Sequence, residues 1–104
     1  MDGYVIRTNN TVEKFDWEPP TLDQLQKFVG GRIEAVTVWY AGEEREAYVN
    51  EDGKNNELPV NTIGSLVYNY QPGPDGQMEH RFAGDHYDPV MGDLVVIINP
   101  SPTT

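Results

Sequence analysis

Hydrophobic and polar positions along the chain fall into short strand-like and helix-like stretches separated by clear turn signals. Tyr4-Val5-Ile6-Arg7-Thr8 and Thr11-Val12-Glu13-Lys14-Phe15 are β-rich runs on either side of Asn9-Asn10, which predicts a hairpin reaching about Trp17. Pro19-Pro20 stops the second run and leads to Thr21, which caps a helix while Gln24 reaches back in a T-x-x-Q capping box. Leu22, Leu25, Phe28 and Val29 share one face of a helix over 22–29, opposite Asp23, Gln24, Gln26 and Lys27. Gly30-Gly31 then closes it with a left-handed residue.

Arg32 to Tyr40 carries β-branched and aromatic side chains on both faces, with Ile33, Ala35, Thr37 and Trp39 on one and Val36, Val38 and Tyr40 beside Glu34 on the other. Burial on both sides predicts an interior strand. Ala41-Gly42-Glu43-Glu44 is a turn, Arg45 to Asn50 returns in strict alternation, and Glu51-Asp52-Gly53-Lys54 is a second turn in which Gly53 supplies a positive φ. From Pro59 the residues Val60, Ile63, Leu66, Val67 and Tyr70 recur at helical spacing, until Gln71-Pro72-Gly73 ends the helix. Leu94-Val95-Val96-Ile97-Ile98 is a continuous apolar run of strand length and reads as a buried strand.

These elements give an α+β fold in the order β-β-α-β-β-α-β, a mostly antiparallel sheet of about five strands packed on one side by two helices. Residues 1–100 form a single domain, and 101–104 a frayed tail. The segment 71–91, rich in Gly, Pro and Asp, is a long loop or insertion that is functional, disordered or hides a short hairpin, with Glu79 to Phe82 supplying part of one.

Composition narrows the function. A chain of 104 residues, 38% of them hydrophobic, with six Tyr, three Phe and two Trp, has room for one core and not two. It has no cysteine, which excludes disulfides, thiolate metal sites and a cysteine nucleophile. The start, Met1-Asp2-Gly3-Tyr4, has no basic and apolar leader, and no stretch nears the about 20 apolar residues that span a bilayer, so a cytoplasmic protein is expected. A formal net charge of −10 disfavours direct contact with nucleic acid or an anionic membrane; it reads as plain solubility or a salty cytoplasm, or, more sharply, as a surface that meets a basic partner.

Four blocks stand in order: Leu22-Asp23-Gln24-Leu25-Gln26-Lys27-Phe28-Val29-Gly30-Gly31-Arg32-Ile33-Glu34, Val49-Asn50-Glu51-Asp52-Gly53-Lys54, Leu58-Pro59-Val60-Asn61 and Val90-Met91-Gly92-Asp93-Leu94-Val95-Val96. Over roughly residues 20 to 98 the chain resembles a family of small bacteriophage, plasmid and mobile-element proteins catalogued as a domain of unknown function. The resemblance implies a phage or mobile element acting inside a host cell, and it carries no catalytic residue. Residues 71–87 look like an insertion relative to that pattern.

Candidate chemistry is sparse. His80 and His86, the only histidines, lie among Glu79, Arg81, Asp85 and Asp88, but their spacing matches no metal motif. Ser65 lacks the second glycine of a nucleophile elbow, and Gly30-Gly31 lacks the rest of a dinucleotide or phosphate-loop pattern. No enzyme activity, metal or cofactor is therefore expected. The expected role is a non-enzymatic accessory protein that binds a host macromolecule through an acidic surface, countering host defence. The 43–57 region, with six acids and two bases, leads that surface. Its host partner would be a basic or nucleic-acid-binding protein, and a homodimer stays open. The alternative is a protein that binds or sequesters a nucleotide or metabolite, in which Asn50 and Asn61 share a polar pocket with the long loop and Arg7, Arg32, Arg45 and Arg81 are the few cations; the structural reading of the same two residues has Asn61 bonding backbone at the helix start and Asn50 ordering the turn. Across both, the residues singled out for a partner or ligand are Asn50, Glu51, Asn61, Glu43, Glu44, Arg81 and His86.

Overall fold

The two β-rich runs around Asn9-Asn10 pair as predicted: β1 (Asp2–Ile6) and β2 (Val12–Asp16) are antiparallel in the computed structural model, which describes residues 2–16, 21–82, 84 and 87–98. Trp17, Pro19-Pro20 and the 101–104 tail lie outside the described residues. The helix α1 (Leu22–Val29) has the capping box its sequence announces, with Thr21 Oγ1 accepting from Gln24 N–H and the Gln24 side chain accepting from Thr21 N–H. Gly30 closes it at φ 80°, where a side chain would be strained.

β3 (Ile33–Tyr40) and β4 (Glu43–Asn50) form the second hairpin around Ala41-Gly42. After α2 (Thr62–Asn69) come two short strands, β5 (Tyr70–Pro72) and β6 (Met78–His80), which pair as a separate small sheet within the Gly- and Pro-rich segment. The apolar run 94–98 is β7 (Leu94–Ile98). The main sheet is antiparallel, in the order β2-β1-β7-β4-β3.

The two helices cover opposite faces of this sheet, not one side as the sequence predicts. Leu25, Val29 and Phe28 of α1 pack with Val5, Phe15, Val95 and Ile97, while Ile63, Val67 and Tyr68 of α2 pack with Ile6, Val38, Ala47, Leu94 and Val96. The reason is visible in β7: its apolar run has no polar face to turn toward water, so the central strand requires cover on both sides. Each side chain fully withdrawn from water there contributes about 1.5–3 kcal/mol.

β3 is an edge strand, which corrects its assignment to the interior. Val38 is fully buried, but Ala35 and Thr37 on the opposite face are exposed. An eight-residue helix such as α1 is about 12 Å long, too short to cover that face to its end. β-Branched composition reports a fit to a pleated surface, not a place within the sheet.

Two local expectations also change. α2 begins at Thr62, because Asn61 takes the N-cap; ahead of it Val60 is in a bridge to Met91 and Pro59 O accepts from Gly92 N–H. Gly53 has no positive φ; a Cβ there would stand 2.5 Å from Met91 O, so glycine is required for close backbone approach.

Candidate functional site

On the α2 face, α2 carries a polar seam. Asn61, Ser65 and Asn69 recur at four-residue spacing and are all fully buried. Asn61 Oδ1 accepts from Gly64 N–H at 2.8 Å, and its Nδ2 donates to Ile6 O at 2.8 Å and Gly92 O at 3.0 Å. Ser65 Oγ accepts from Val90 N–H, and Asn69 grips Asp88 twice, donating to its carbonyl and accepting from its N–H. Together they fix segment 88–92 against the helix. Every polar group of the seam named here has a partner, as burial demands.

That fixed segment forms one wall of a cleft of about 240 Å³. Val36 and Val49 from the sheet, with Val90 and Met91, form its apolar surface, and Tyr68 of α2 stands beside them. Glu34 of β3, Asn50 and Glu51 at the end of β4, Lys54 and Asn55 in the following turn, and Asp88 add its polar groups. Lys54 Nζ is ion-paired with Asp88. Burial pushes the Tyr68 phenol above its ordinary value, and the Asp88 and Glu34 carboxylates push it further, so its hydroxyl stays protonated.

Asn50 and Glu51 thus meet at the cleft. Asn50 is mainly a fixture: its Nδ2 donates to Val29 O at the end of α1, and its Oδ1 accepts from Asp52 N–H. Glu51 is exposed, 3.6 Å from Arg32 Nε. Asn61 lies in the seam and does not line the cleft. Glu43 and Glu44 stand at the far end of β4, where Glu43 pairs with Arg45 at 3.1 Å and Glu44 lies 3.9 Å from Arg81. Seven strand steps, about 23 Å, separate Glu43 from Asn50 beside Glu51, so the acids of 43–57 do not form one patch.

Arg81 clasps the end of α2, donating from Nε to Tyr68 O and from its backbone N–H to Asn69 O. His80 packs against Tyr70 at 4.7 Å between ring centroids, and His86 lies outside the described residues. The four arginines weighed as anion contacts all have carboxylate neighbours: Arg7 has Glu13 and Asp93, Arg32 has Asp52 and Glu51, Arg45 has Glu43, and Arg81 has Glu44. Among the described residues no three His, Asp or Glu side chains gather as metal ligands, and no helix is long and apolar enough to cross a membrane.

Sequence reasoning missed Tyr68, Glu34 and Asp88 as a group because turns and register far apart in the chain bring them together. It also missed Ser65 and Asn69 as structural residues, although their spacing from Asn61 was a readable signal. The model of the family described as Domain of unknown function (DUF3846) matches residues 1–101, extending beyond the four blocks at 20–98. No curated protein and no solved structure matches the chain.

Proposed function

We propose, for a chain that belongs to the family described as Domain of unknown function (DUF3846), that this is a non-enzymatic accessory protein whose cleft accepts a cationic side chain of a basic host protein. One observation carries this reading: the cleft lining gathers the carboxylates of Glu34, Glu51 and Asp88 against one ammonium, Lys54, which Asp88 already pairs, while Arg32 stands outside the lining, 3.6 Å from Glu51. A Lys or Arg from a partner would lay its stem along Val36, Val49 and Val90 and offer its charge to Glu34 and Glu51. The Tyr68 ring adds a face on which a cation is favoured.

The net charge of −10 supports the same partner, since it raises the encounter rate with a basic surface. Close pairing of Arg7, Arg32 and Arg45 with carboxylates works against a nucleotide or other anion, and Arg81 is drawn onto Tyr68 O, with Glu44 3.9 Å away. The likeness of the four sequence blocks to phage and mobile-element proteins supplies the setting, a host cytoplasm in which such a protein counters a defence. Ser65 is no nucleophile in this reading, as its buried hydroxyl is committed to Val90 N–H.

A flexible Gly-Arg-Gly peptide titrated into the isotopically labelled protein tests the cleft. The expected result is movement of the Val49, Gly53 and Tyr68 resonances, weakening as salt rises. A nucleotide or metabolite that raises the melting temperature while the peptide moves nothing would replace this reading with the small-ligand one.

A further inference from the structure

We propose that the partner docks by strand addition: an extended basic segment pairs with the free edge of β3 and places a Lys or Arg side chain in the cleft. This deepens the proposed cation site and rests on it. Among the described residues β3 ends the sheet and pairs with β4 alone; β5 lies close to it without pairing. Its eight residues, IEAVTVWY, include no proline or lysine, and Glu34 is their single charge. The opposite edge, β2, is shorter and carries Glu13 and Lys14 among its five residues. Natural sheets normally blunt a long apolar edge, so an unblunted one is a template for another strand.

The turn fixes which backbone groups face outward. Ala41 at φ 52° and Gly42 at φ 83° form a two-residue turn of type I′, so the flanking Tyr40 and Glu43 are a hydrogen-bonded pair. Such pairs alternate along the ladder, and the bond from Glu51 N–H to Arg32 O at 2.8 Å keeps the same phase at the other end. The N–H and C=O groups of Ile33, Ala35, Thr37 and Trp39 therefore point away from β4. Among the described residues no backbone hydrogen bond joins these positions to another element.

Residues opposite one another in paired strands share a face. A partner residue opposite Glu34 or Val36 therefore projects on the α2 face, where those two side chains line the cleft. Edge and cleft thus form one surface: the backbone of β3 holds an extended segment, and the cleft selects its charge. Charge also selects the occupant. A second copy would bring two bodies of net charge −10 edge to edge, whereas a basic segment meets Glu34, Glu51 and Asp88 with the opposite sign.

Amide hydrogen exchange on the whole chain, with and without a saturating acetylated and amidated Lys-Val alternating octapeptide, tests this. The Ala35 and Thr37 amides should slow by about tenfold or more, while a Glu-Val peptide changes nothing. Thr37→Pro removes only an outward N–H, a position where edge strands tolerate proline, and should weaken Lys-Val binding about tenfold with the melting temperature nearly kept. If that variant does not fold, exchange in the native chain still decides. Movement of the Tyr68 and Val49 resonances with unchanged Ala35 and Thr37 exchange would overturn strand addition and leave the cation cleft standing. No binding of either the Lys-Val or the Gly-Arg-Gly peptide would remove both. Protection of the same amides that rises with protein concentration alone would give the edge to a second copy and overturn the proposal.

Discussion

The side-chain amide of Asn61 donates to the carbonyl of Ile6 across 55 residues of sequence, at 2.8 Å and without solvent exposure. The same side chain caps α2 through Gly64 N–H and holds Gly92 O, so it ties strand, helix and cleft wall at one point. Asn61→Ala leaves two buried carbonyls without this donor and a helix without its cap. It should cost about 3–5 kcal/mol, the sum of a cap and unsatisfied buried groups. Asn61→Ser keeps a cap oxygen and should recover about 1 kcal/mol of that loss. Urea unfolding of both variants measures it, and equal losses would show that the cap contributes nothing.

The reach of Asn61 to Ile6 and Gly92 bears on how much a sequence of this kind reveals. Local chemistry was legible: the Thr21–Gln24 capping box, the Gly30 closure and the hairpin around Asn9-Asn10 all depend on residues within a few positions of each other. What was not legible depended on partners distant in the chain. β3 looked interior because its composition describes a pleated surface, and only the strand order makes it an edge. Asn61 bonding backbone at the start of α2 and Asn50 ordering the turn after β4 were legible as local roles, and both hold; the other reading, a pocket shared between them, does not, because their remaining partners lie far apart. One holds the end of α1 and the other holds Ile6 and Gly92, and only Asn50 reaches the cleft. Glu34 and Asp88 carried no local signal, since nothing in the sequence says that β3, α2 and the 88–91 segment converge.

Gly53→Ala probes the cleft's other wall. Its added methyl would press on Met91 O, a backbone atom that cannot swing away as a flexible side chain would. The expected loss is about 1–3 kcal/mol, as for an overpacked interior. Basic-peptide affinity should fall beyond what unfolding explains, because the turn carrying Glu51 and Lys54 must shift away from 88–91. Peptide binding measured well below the variant's melting temperature separates the two effects.

Three tyrosines should contribute to a loss of stability at alkaline pH. Burial raises the phenols of Tyr40, Tyr48 and Tyr68 above the ordinary 10.0, with Tyr4 adding at Tyr40, a hydrogen bond to Glu46 adding at Tyr48, and Asp88 adding at Tyr68. A group whose folded pKa is raised stabilises the fold fully below its unfolded value, and that contribution is lost as pH climbs through the folded one. The melting temperature should therefore hold up to about pH 10 as far as these groups are concerned and fall above it. Tyr68→Phe should make that fall shallower. An unchanged alkaline slope in this variant would mean that Tyr68 ionises no less readily folded than unfolded.

Lys54 and Glu34 make opposite predictions at the same site. Glu34 is exposed and takes part in no salt bridge resolved among the described residues, so Glu34→Gln should change stability by no more than about 0.5 kcal/mol. It should nevertheless weaken basic-peptide binding by about 0.5–1 kcal/mol, the scale of one partly screened charge pair. Lys54→Met removes the ammonium that competes with an incoming cation for Asp88. Its fold should lose no more than about 1 kcal/mol, because the pair is surface-exposed on the lysine side. Peptide binding should strengthen, with a steeper dependence on salt, since one more carboxylate is free to meet the ligand. Titrations of both variants at low and high salt decide it: weaker binding by Lys54→Met would mean that Lys54 contacts an anionic group of the ligand, and the cleft would then not be a cation site.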